Sequence, residues 1–174
     1  MSSVPSDIAD GAPDAPADNA PLKLEEFLPY RLNVVASLVS QALSRIYAER
    51  YGIGVPEWRV LVTLGQYGLM TGKAIGGHSH MHKTKVSRAV ALLEQRKLVV
   101  RRANRADLRE SFLTLTPAGR AMYDDLAPIA LQFTNRLSEA IEPADRPAFE
   151  RAVDRLTARS AELAFEFAKG HSGR

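Results

Sequence analysis

The chain has no cysteine. That excludes disulfides, zinc–thiolate sites, catalytic thiols and thiol redox switches together, and it fits a reducing cytoplasm. Long apolar runs are missing as well. None approaches the ~18 residues of a membrane span, and the amino terminus lacks the charged-then-apolar pattern of a secretion signal. A cytoplasmic protein without membrane contact is predicted. Catalytic signatures are also lacking: there is no glycine-rich phosphate loop after a strand, no G-x-S-x-G elbow and no histidine pair at metalloprotease spacing. Gly76-Gly77 is a lone pair in a helix-turn region. The expectation is a non-enzyme with no cofactor, and no internal repeat is found.

Basic residues are absent from positions 1–21, which hold four acids (Asp7, Asp10, Asp14 and Asp18) among Pro, Ala and Ser. With almost nothing to bury, this stretch reads as a disordered acidic tail. The whole chain carries +3, so the remainder carries +7. Residues 81–109 alone hold nine Lys/Arg against two acids, again +7. The excess of the folded part therefore sits in one short window, and charge this uneven points to a partner of opposite sign. At 174 residues and 45% hydrophobic, the chain can bury one sizeable core, so 22–174 is expected to form one domain.

Periodicity outlines the elements. Leu28, Leu32, Val35, Val39, Leu43 and Ile46 mark a long amphipathic helix ending near "RYGIG". "VPEWRVLVTLGQYG" is a shorter helix with Pro56 in its first turn and Gly65 or Gly68 near its end. "TGKAIGGHSHMH" reads as a short third helix of poor propensity and a turn. A fourth helix over about 83–97 has Val86, Val90 and Leu93 on its apolar face. "LVVRR" and "SFLTLT", rich in β-branched residues, bracket a polar loop and predict a hairpin. Two long helices follow, the first with Pro128 as an expected kink and the second beyond breaks at Pro143 and Pro147. The predicted fold is mainly α with a small β-hairpin wing. It comprises a winged helix-turn-helix over about 54–117 and long helices over about 24–51 and 117–169. The apolar faces of these long helices need a partner, and a second copy of the chain is the natural supplier.

A recognition helix needs polar side chains at its start and an apolar face against its own domain. Lys83, Thr84, Lys85, Ser87 and Arg88 meet the first need, and Val86, Ala89, Val90 and Leu93 the second. Arg88 suits a bidentate contact to guanine, while Thr84 and Ser87 suit phosphates or base edges. A solvated helix face is the bland alternative for such a charge run. The hairpin tips the balance, because Arg101, Arg102, Arg105 and Arg109 crowd it and arginine can enter a narrow minor groove. Asp107, an acid among them, is expected to orient an arginine by a salt bridge. Double-stranded operator DNA is the favoured partner.

Three motifs carry a resemblance: "VSRAVALLEQRKLVVRR", Asp107-Leu108-Arg109, and "LTLTPAGR". Together they resemble the MarR family of transcriptional regulators, in layout over about residues 28–168. The resemblance implies an obligate homodimer, a winged-helix DNA reader and a repressor released by a small ligand. Two positions depart from the family pattern. Gly is usual where Lys97 stands; a left-handed cap there would cost a lysine roughly 1 kcal/mol, so a different helix ending is expected. Glu110 stands where a basic or small residue is commoner, which is expected to hold the wing tip slightly farther from phosphate.

The opening of the first helix, "FLPYRLNVVAS", is similar to MarR regulators sensing aromatic acids or hydroxycinnamoyl-CoA thioesters. That likeness implies a small aromatic acid or acyl-CoA effector. Tyr30, Arg31, Asn33 and Trp58 are the candidate ligand residues. Arg31 would pair with a carboxylate or CoA phosphate, and Tyr30 or Trp58 would stack on a ring. Against this, Tyr30 and Trp58 are equally readable as core and Arg31 as a surface cation. His78, His80 and His82 alternate before a helix with no carboxylate or thiol nearby, so no metal site is expected there; a polar turn and a phosphate contact by His82 fit better. The rival function is a non-enzymatic winged-helix adaptor that binds another protein instead of DNA. Four wing arginines favour DNA.

Overall fold

A computed structural model describes residues 21–103 and 110–170. Residues 1–20 of the acidic tail and the wing-loop residues Arg105, Asp107 and Arg109 lie outside the described residues. The described residues fall into two compact units, divided after Val39.

In the first unit a turn closed by Lys23 and Glu26 (3.1 Å) leads into helix α1, Leu28–Tyr51. The α1 residues of this unit present Leu28, Leu32, Val35 and Leu38 as exposed apolar side chains.

The second unit takes α1 from Ser40 onward, and there Tyr47 is buried. Helix α2, Val55–Tyr67, begins with the Gly54 N–H donating to the Glu57 carboxylate at 2.8 Å and with Pro56 in its first turn. It stops at Gly68, whose φ of 78° suits a residue without a β-carbon. A two-residue strand β1, Met70–Thr71, precedes α3, Gly72–Ser79, whose first turn is capped by the Thr71 hydroxyl. Helix α4 runs Lys83–Gln95; strands β2, Val99–Ala103, and β3, Ser111–Leu115, form the wing. The three strands make one antiparallel sheet in the order β1-β3-β2, with Met70 opposite Leu113 and Val99 opposite Leu115. β1 went unnoticed in the sequence because two residues show no periodicity.

The core gathers Val60, Leu61 and Leu64 of α2, Ile75 of α3, Val86, Ala89, Val90 and Leu93 of α4, Leu113 of β3 and Leu126 of α5. Helix α5, Pro117–Ser138, continues through Pro128 as one helix. Helix α6, Arg146–Gly170, takes Pro147 into its first turn, where a missing N–H costs nothing, so that proline does not break the chain as expected. Residues 147–162 of α6 are all exposed, Phe149, Val153 and Leu156 among them.

Candidate nucleic-acid interface

Helix α4 separates its two faces cleanly. Val86, Ala89, Val90 and Leu93 are buried, whereas Lys83, Thr84, Lys85, Ser87 and Arg88 are exposed. At the start of the helix, the His82 Nδ1 accepts from the Thr84 N–H at 3.3 Å, so this histidine is an N-cap. The other two histidines point to different tasks: His78 lies against the Tyr67 ring at 4.4 Å, and His80 turns the chain with a φ of 51°. Among the described residues, no group of three metal-ligating side chains assembles. Lys83, Lys85 and Arg88 have no carboxylate partner among the described residues. Their charge faces solvent.

The far end of α4 departs from expectation. Lys97 adopts the left-handed conformation itself, with φ 59°. The Leu98 N–H reaches back to the Leu93 carbonyl and the Lys97 N–H to the Glu94 carbonyl, both at 2.9 Å. This is the Schellman ending, sealed by burial of Leu93 and Leu98 together. The expectation of a different ending was wrong, because the paired carbonyls and the buried leucines outweigh the cost of a β-carbon at φ > 0.

The wing is tied to the recognition helix. Arg101 of β2 donates from Nε to both carboxylate oxygens of Glu94, at 2.8 and 3.0 Å. An acid was expected to orient a wing arginine, but the pair seen here uses Glu94; Asp107 lies outside the described residues. Arg102 is exposed on the same strand. Between α3, α4 and the wing lies a hollow of about 660 Å³, bordered by Lys73, His82, Lys83, Ser87, Arg101 and Glu110.

Thr116 and Gly119, the conspicuous residues of "LTLTPAGR", hold structure together. The Thr116 hydroxyl donates to the Lys97 carbonyl at 2.7 Å and accepts from the Gly119 N–H at 3.1 Å, which caps α5. A β-carbon at 119 would collide with the Leu98 carbonyl oxygen. The motif therefore brings α5 against the end of α4.

Of the candidate ligand residues, Tyr30, Arg31 and Asn33 lie on the first unit's part of α1 and are exposed. Trp58, in the second unit, is half-buried and stacks on Tyr47 with ring centres 5.2 Å apart, so its core role is real. Trp58 also borders a hollow of about 210 Å³ with Val62, Tyr123, Ala127, Leu131 and Thr134.

Sequence reasoning missed Glu94 and Arg96. Glu94 is seven residues from its partner, a distance that only the folding back of the wing turns into a contact. Arg96 looked like one more cation in a basic run, yet it donates to the carbonyls of Tyr51 at 2.7 Å and Gly52 at 3.4 Å.

Comparison with known proteins fits this geometry. The MarR family model matches residues 51–110. YwoH of Bacillus subtilis (strain 168), described as an uncharacterized HTH-type transcriptional regulator, is 28% identical over 122 residues, covering 70% of this chain and 88% of YwoH. A MarR-family regulator from Silicibacter pomeroyi is 29% identical with TM-score 0.67, over 79% of this chain and 92% of that one. Bordetella bronchiseptica BpsR, whose DNA binding is regulated by 6-hydroxynicotinic acid, shares the fold at 22% identity and TM-score 0.71, over 79% of this chain and 98% of its own. The chain is thus similar to the MarR family model over residues 51–110 and shares with these solved regulators a mainly helical fold with a small three-stranded wing sheet.

Proposed function

We propose that this chain, a regulator of MarR type over its winged-helix head, acts as a homodimeric repressor that reads operator DNA and releases it on binding a small aromatic acid or its CoA thioester. The observation that carries the DNA reading is the exposed face of α4, whose cations have no carboxylate partner among the described residues. Lys83, Thr84, Lys85, Ser87 and Arg88 stand on it, above a face packed into the core. In the major groove, Arg88 would take a guanine edge and its neighbours phosphates. Arg101 and Arg102 of the wing would approach the minor groove. Arg105, Asp107 and Arg109 join this set on sequence grounds alone.

The dimer is supported by apolar side chains that have no cover within their own unit: Phe149, Val153 and Leu156 on α6, and Leu32, Val35 and Leu38 on α1. Exposed large apolar side chains of this kind mark interaction surfaces. The effector reading is supported by the hollow beside Trp58 and by BpsR, one instance of this fold under control of an aromatic acid. Trp58 would stack on the ring. Tyr30, Arg31 and Asn33 are proposed effector residues from the sequence, with Arg31 taking the acid's charge.

The test is a salt titration of binding to duplexes that the pure protein selects from a random-sequence pool. Each phosphate neutralised contributes about −0.9 to the log–log slope, so affinity should fall steeply, and a flat response would rule DNA out. Repeating the titration with aromatic acids and their CoA thioesters should weaken binding in the parent and less so in Arg31→Ala. An equal response in both proteins would remove Arg31 from the effector site.

A further inference from the structure

The basic window holds a cation that hydrogen-bonds to main-chain carbonyls. Arg96 caps α4, and its guanidinium, though exposed, reaches the end of α1, donating from Nη2 to the Tyr51 carbonyl at 2.7 Å and from Nη1 to the Gly52 carbonyl at 3.4 Å. Carbonyls at the end of a helix have no N–H ahead of them to accept from, and a cation there also opposes the negative end of the helix dipole. The same turn is fastened on its other side. Arg50 grips Asp125 of α5 through two nitrogens, each at 2.8 Å, and the Tyr51 hydroxyl donates to the same carboxylate at 2.7 Å. A polar chain thus runs from α5 through the last turn of α1 to the C-cap of the recognition helix.

We infer that Arg96 is a positioning residue, which fixes the seat of α4 on the α1–α5 framework and so the separation of the two reading heads. This rests on the reading of the chain as a dimeric DNA binder. Such a dimer binds best when its recognition helices stand about 34–36 Å apart, one turn of duplex. A planar fork that reaches two successive carbonyls holds direction as well as distance, which a lysine ammonium does not. Without it, α4 keeps its apolar packing but rocks about it, and the heads tolerate wrong spacing.

The experiment compares a selected duplex with one carrying an extra base pair between its half-sites, over a range of salt. The parent should bind the lengthened duplex roughly tenfold more weakly or worse. In Arg96→Gln that ratio should shrink to about threefold while affinity for the native spacing drops by a similar factor, with the salt slope unchanged. Arg96→Lys should fall between them. Asp125→Asn breaks the chain from the α5 side and keeps the test alive should Arg96→Gln fail to fold. It should shrink the ratio too, and the double variant should go no further than either single one. An unchanged ratio in Arg96→Lys and Asp125→Asn overturns the inference. So does a slope that falls by about 0.9 per subunit with the ratio intact, because Arg96 would then be a phosphate contact. A parent with a flat salt slope overturns the DNA reading, and the inference with it.

Discussion

Lys97 and Gly119 show opposite relations between a side chain and its backbone. Lys97 carries a β-carbon at φ 59°, where glycine has no penalty, and its side chain is exposed. Lys97→Gly should therefore raise stability by about 1 kcal/mol, the left-handed cost it removes. Equilibrium urea unfolding would show the gain as a higher midpoint at constant slope; a loss would mean the lysine side chain holds something of its own. Gly119 is the reverse case. A β-carbon there runs into the Leu98 carbonyl, which is itself held by the Thr116 N–H at 3.0 Å and cannot easily move. Gly119→Ala should cost about 2 kcal/mol or more, read in the same experiment, and an unchanged midpoint would mean that α5 shifts freely.

Between elements, the seams are polar and specific. Glu94 of α4 orients the wing through Arg101. Glu94→Gln removes a negative charge beside the proposed DNA-reading face, yet it also releases the wing. The expected result is nonspecific affinity equal to or above the parent's with discrimination between selected and scrambled duplexes reduced about threefold to tenfold; unimpaired discrimination would mean the wing needs no orienting. The α1–α5 seam is sensitive to acid. The Tyr51 hydroxyl, and after it the Arg50 guanidinium, hold the Asp125 carboxyl below its ordinary value. A depressed carboxylate contributes stability above its unfolded pKa and loses it as pH falls through the folded one. Melting temperatures of the parent should thus fall on acidification through about pH 4 and below, with a smaller fall in Asp125→Asn. Parallel curves for the two proteins would show that the seam is not titrating.

For the whole molecule, the exposed apolar side chains of α1 and α6 call for a cover. If a second copy provides it, sedimentation should give a dimer for the full chain and for a chain lacking residues 1–21. Deleting residues 149–174 removes Phe149, Val153 and Leu156 with the rest of α6, and should leave a monomer or an unfolded chain. A stable dimer after that deletion would place the interface elsewhere. The proposed control by an effector would also act on the dimer as a whole. A ligand that favours the wrongly spaced dimer a hundredfold, about 2.7 kcal/mol, lowers operator affinity a hundredfold at saturation.

The order of helices and wing, the two faces of α4 and the concentration of positive charge were all legible in the sequence, because each follows from local spacing. Val86, Val90 and Leu93 recur at helical period, and β-branched runs bracket a polar loop. Such patterns need no knowledge of what lies across the fold. What the spacing could not reveal were the decisions made by distant neighbours. Strand β1 exists only because β3 offers it Phe112 and Leu113 to pair with. Lys97 takes a glycine's conformation because the Leu98 burial and the Thr116 hydroxyl hold it there. Arg96 and Arg101 sit five residues apart in one basic run, yet tertiary contacts turn one toward the carbonyls of Tyr51 and Gly52 and the other toward Glu94. A charge has a sign in the sequence, but its direction depends on which partners folding brings within hydrogen-bond reach.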